Sequence, residues 1–103
     1  MRVEDILVEN LGENKYFNCE KVFIRGSYAL NIQNEYSDLD IIVVSSDFSG
    51  LDIITRKKLL QKSFDVKLKL KVDAICLTLD EFMCIFKDFK DILEIDELYE
   101  VIL

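Results

Sequence analysis

The sequence predicts a small α/β fold, a mixed sheet of about three main strands covered by helices. Three observations carry that expectation. Residues 22–24 and 41–44 are short runs of β-forming apolar residues. Residues 67–77, KLKLKVDAICL, alternate with a period of two. Between and around these runs, apolar residues recur at spacings of three and four, the mark of helices lying on a sheet. The 103 residues predict a single domain over 1–103.

In chain order, Val3, Ile6, Leu7 and Leu11 fall at helical spacing, and Gly12 supplies a stop. Cys19 to Arg25 reads as the first strand, closed by Gly26. Ser27 can cap a short helix, and Asn31 to Ser37 is a polar loop. Asp38 to Ser45 reads as the second strand. Asp38, Asp40, Ile42 and Val44 share one face, and Leu39, Ile41 and Val43 the other. Beyond Asp40 both faces are apolar, as in a strand covered on both sides.

After a turn at Ser46 to Gly50, Ser49 and Asp52 offer caps for a helix from Leu51 to about Phe64. Ile53, Leu60 and Phe64, flanked by Ile54 and Leu59, would be its inner face, and Arg56, Lys57, Lys58 and Lys62 its solvated one. Lys67 to Leu77 is the third strand. Thr78 and Glu81 form a capping box opening a helix with Phe82, Ile85, Phe86 and Phe89 in register. The acidic segment Lys90 to Leu103 repeats apolar residues at Ile92, Ile95, Tyr99 and Ile102, which predicts a last helix.

Composition narrows the function. The net charge of −7 disfavours a surface that wraps nucleic acid. The lack of histidine removes every scheme built on an imidazole base or ligand. Three cysteines without paired spacing read as buried small apolar residues in a reducing compartment. With neither a signal-like leader nor a membrane-length apolar run, the expected location is cytoplasmic, away from membranes.

The chemistry-bearing stretch is VFIRGSYALNIQNEYSDLDIIVV, residues 22–44. Asp38 and Asp40 stand at the start of an otherwise apolar strand, where carboxylates are costly unless a cation joins them. Asp73 lies where the third strand turns from lysine-rich to apolar. If the second and third strands are neighbours, the three carboxylates can converge on Mg²⁺, a hard ion that favours oxygen ligands and substrate phosphates. Two such ions could clamp the attacking and leaving oxygens of a phosphoryl or nucleotidyl displacement. Gly26 lets a ligand approach the backbone, and the amides at Ser27 can receive an anion.

Gly26-Ser27, ten residues, then Asp38-x-Asp40 resembles the GSx10DxD signature of the DNA-polymerase-beta-like nucleotidyltransferase superfamily. GSYA…SDLDIIVVS with VDAICLTLDEF is similar to its minimal nucleotidyltransferase branch. The resemblance covers roughly residues 20–84, and Asn31 stands where the family often has glycine. It implies the nucleotidyltransferase fold, with Gly26 and Ser27 binding nucleotide phosphates. Asp38 and Asp40 would bind metal, and Asp73 would complete the catalytic site. It further implies an Mg²⁺-dependent transfer of a nucleoside monophosphate from ATP or another NTP to a hydroxyl, with two ions expected. Minimal members are often paired with a helical HEPN protein as the antitoxin of a toxin–antitoxin system, which makes a partner protein the expected acceptor. A non-catalytic module that neutralises its partner by contact is the competing expectation.

Overall fold

The structure is a computed structural model that describes residues 3–25, 39–64, 71–89 and 99–103. The elements are α1 (Val3–Leu11), β1 (Lys21–Arg25), β2 (Leu39–Val44), a 3-10 turn (Ser46–Phe48), α2 (Ile53–Ser63), β3 (Val72–Leu77), α3 (Leu79–Phe89) and β4 (Tyr99–Val101). The strands form a single sheet in the order β3-β2-β1-β4. β1 runs antiparallel to both β2 and β4, whereas β2 and β3 are parallel. A parallel pair needs a crossover, and α2 supplies it.

The alternation in β2 builds both halves of the core. Leu39, Ile41 and Val43 join Val22, Ile24, Ala74 and Cys76 under Leu7 and Leu11 of α1 and Leu60 of α2. Ile42 and Val44 face the other way, against Phe82 of α3, with Phe23 and Leu77 beside them. The Phe23 and Phe82 rings stack with centroids 4.9 Å apart. β2 is thus covered on both faces, as its sequence predicts.

Helix ends follow local chemistry. The Gly12 amide donates to the Val8 carbonyl at 2.9 Å and closes α1. A Cβ at Gly12 would lie 2.6 Å from that oxygen, which explains the glycine. Asp52 caps α2 by accepting from the Thr55 amide at 2.7 Å. At α3 the capping box forms as expected: Glu81 accepts from the Thr78 amide at 2.7 Å, and the Thr78 hydroxyl accepts from the Glu81 amide at 3.2 Å.

Three expectations need correction. The segment expected as a last helix contributes β4, whose Tyr99 and Val101 pair with Ile24 and Val22 of β1, so the sheet has a fourth strand. Three- and four-residue spacing does not exclude a strand when a neighbouring edge needs hydrogen-bond partners. In α2, Arg56 is buried at 7 % exposure, while Ile53 and Ile54 are 67 % and 68 % exposed. Burial starts one turn into the helix, at Arg56, and continues at Leu60. Cys84 is exposed, whereas Cys19 and Cys76 are buried. The expected third strand is present over Val72–Leu77, and its residues 67–70 lie outside the described residues. The short helix expected after Ser27 and the loop at 31–37 also lie outside them.

The cysteines give a direct check on this packing. Burial pushes the Cys19 thiol up to about 12 and the Cys76 thiol up to about 11, so neither supplies thiolate at neutral pH. One thiol per native chain, Cys84, is expected to react rapidly with an aromatic disulfide reagent, and all three after denaturation. Rapid reaction of more than one thiol in the native protein would contradict the burial of Cys19 and Cys76.

Candidate active site

The sheet register assembles the site. In the antiparallel β1–β2 pair Arg25 opposes Asp40, and in the parallel β2–β3 pair Asp40 is in register with Asp73. Directly opposed residues share a face. Arg25, Asp40 and Asp73 therefore form one row across three strands, with neighbouring strands about 4.8 Å apart. It lies on the face that carries Ile42, Val44 and Phe82, but that buried cluster stops short of Asp40. Asp40 is half-buried and Asp73 is exposed. Asp73, at the acidic end of the strands, is thus accessible to a ligand.

Gly26, Ser27 and Asp38 lie outside the described residues. Their chain neighbours Arg25 and Leu39 are both at the row's end of the sheet, since β1 finishes where β2 begins. The strand adjacency that the carboxylate argument requires is present for Asp40 and Asp73.

Two carboxylates one strand apart repel unless a cation lies between or beside them. Their oxygen donors suit a hard divalent ion. Among the described residues no group of three or more acidic or thiol side chains could hold a metal, so Asp40 and Asp73 form a pair there. The donor chemistry fits Mg²⁺, completed by a further carboxylate, water and substrate phosphate. A cavity of about 160 Å³ adjoins Asp73 between α2 and β3, with Lys57, Gln61 and Phe64 on its helical wall.

Sequence reasoning missed what fixes the strand carrying Asp73. The buried Arg56 guanidinium donates from Nε to the Leu51 carbonyl at 2.9 Å. Its Nη1 donates to the Cys76 carbonyl at 3.1 Å and to Glu81 Oε1 at 2.7 Å. One side chain so joins α2, the end of β3 and the start of α3. The planar fork of arginine makes this possible where lysine would not. The signal was there: Arg56 is the one arginine in a helix whose other basic residues are lysines, Lys57, Lys58 and Lys62.

Comparison with known proteins bears on the fold and the family. The model of the nucleotidyltransferase domain family matches residues 3–101. No curated protein matches the sequence. Among solved structures, a nucleotidyltransferase candidate from Sulfolobus solfataricus is 21 % identical, with a TM-score of 0.57, covering 94 % of this chain and 73 % of its own. A structure described as a toxin–antitoxin with AMP-PNP is 23 % identical, with a TM-score of 0.62, covering 97 % of this chain and 73 % of its own. These two likenesses show a shared fold. Among the described residues no helix is long and apolar enough to cross a membrane. With the family model spanning nearly the whole chain, from α1 to β4, the protein belongs to the nucleotidyltransferase domain family, a family of transferases.

Proposed function

We propose that this chain transfers AMP from ATP to a hydroxyl on a partner protein, with release of pyrophosphate. The acceptor oxygen bonds to the α-phosphorus as the bond from that phosphorus to the oxygen bridging to the β-phosphorus breaks. The acceptor's proton passes to the Asp73 carboxylate. Asp38 and Asp40 hold Mg²⁺ together with Asp73, in a two-ion site, and Gly26 with Ser27 grips the phosphates. Bound Mg²⁺ neutralises charge on the reacting phosphates. The residues contribute position and fixed charge, with no covalent intermediate on the protein.

The observation that carries this reading is the in-register pairing of Asp40 with Asp73 near the start of two parallel strands. The toxin–antitoxin neighbour solved with AMP-PNP supports an adenine nucleotide and a protein partner for this chain too. In the reading proposed here the partner is a helical HEPN-type toxin, the chain is its antitoxin, and both act in the cytoplasm.

The test uses ATP labelled at the α-phosphate or at the γ-phosphate, with Mg²⁺ and the protein encoded beside this chain. Label is expected on the partner from the α position alone, with pyrophosphate formed in equal amount. Label arriving from the γ position, or none from any NTP although the two proteins bind, would overturn nucleotidyl transfer.

A further inference from the structure

Arg25 is the one cation in the row that contains Asp40 and Asp73. It is half-buried at the end of β1, directly opposite Asp40. The ion pairs Lys21–Glu100 and Arg56–Glu81 do not engage Arg25. An arginine in register with a carboxylate, yet not paired with it, retains its donor fork for a ligand. The other nearby cations are placed differently. Arg56 is buried in its own contacts, and Lys57 lies on α2, which packs against the opposite face of the sheet. Lys71 already has an interaction.

We propose that Arg25 binds the phosphates of the nucleotide, a role that rests on the transferase reading above. The chain carries a net charge of −7, so a nucleoside triphosphate approaches against a repulsive field. Metal on the carboxylates offsets part of that repulsion at one side of the row. Arg25 supplies the counter-charge at the other, with a planar fork that matches two phosphate oxygens. The ligand class is therefore a di- or triphosphate-bearing nucleotide, lying across β1 and β2 with its phosphates over Arg25.

Calorimetry with Mg²⁺ and AMP-PNP on wild type, Arg25→Gln and Arg25→Lys tests the role, beside titration of each with Mn²⁺ alone. Arg25→Gln is expected to weaken AMP-PNP binding at least about tenfold, about 1.4 kcal/mol, and Arg25→Lys less. Mn²⁺ binding without nucleotide is expected to hold or tighten, because a competing cation next to Asp40 has gone. Equal AMP-PNP affinity in wild type and Arg25→Gln would overturn the role while leaving the transferase reading in place. Weakening of Mn²⁺ and AMP-PNP together would also overturn it, since Arg25 would then serve only to position Asp40. Failure of the wild type to bind AMP-PNP would overturn the transferase reading and this role with it.

Discussion

Asp40→Asn is expected to lower AMP transfer by about 10³-fold or more while leaving the fold intact. The estimate follows from losing one fixed charge where charge develops in the transition state, an effect of roughly 10²–10³ even for a neutral donor. Asp40 is half-buried at the start of β2, opposite Arg25 and beside Asp73. Asparagine keeps its shape and removes one of two neighbouring negative charges, so the melting temperature should hold or rise. Asp73→Asn should behave alike. The double variant should lose little beyond either single one, because the two act as a unit. Transfer of α-labelled AMP and a thermal melt check both halves. Full transfer by Asp40→Asn would remove that residue from the site. If the variant transfers nothing but still neutralises its partner, contact alone does the neutralising and the competing binding-module reading gains.

The second large effect concerns stability. Arg56→Met should destabilise the protein by about 2–3 kcal/mol, seen as a lower urea midpoint with an unchanged slope. The substitution retains most of the buried volume. It strips the Cys76 and Leu51 carbonyls of their guanidinium donors. A buried acceptor left without a donor costs about 1–3 kcal/mol. Loss of the cationic partner of Glu81 adds less than in a fully buried pair, because the Glu81 side chain is 43 % exposed and can rehydrate. The Arg56 hydrogen bond, then the Thr78 amide, lowers the Glu81 carboxyl from 4.5 to about 2. A depressed carboxyl stabilises the fold above its unfolded value and loses that contribution as pH falls through its folded value. The gap between wild type and Arg56→Met should therefore narrow as pH drops from 4.5 toward about 2. Equal urea midpoints at neutral pH would show that the contacts of Arg56 add nothing to stability.

Local pattern was enough for much of this molecule. The capping box at Thr78 and Glu81, the glycine stop at Gly12 and the two apolar faces of β2 are all short-range features, set by neighbouring residues or by one side-chain period. The same period places Asp40 on the Ile42 and Val44 face, and Asp73 on that of Leu77. Arg56 was misread because lysine and arginine look alike in a helix-face pattern. Its burial depends on two carbonyls and a carboxylate, and Cys76 and Glu81 come from other elements.

By itself, then, the sequence determined which segments are strands or helices over most of the described residues. It also determined that carboxylates stand at the start of two strands. Tertiary structure alone decided that those strands are parallel neighbours in register, that Arg25 sits opposite Asp40, and that Tyr99–Val101 closes the β1 edge as a strand. The physical reason is that strand pairing is a contract between backbones far apart in the chain. A residue's own periodicity fixes the face it points to, but not which strand supplies the hydrogen-bond partners on either side.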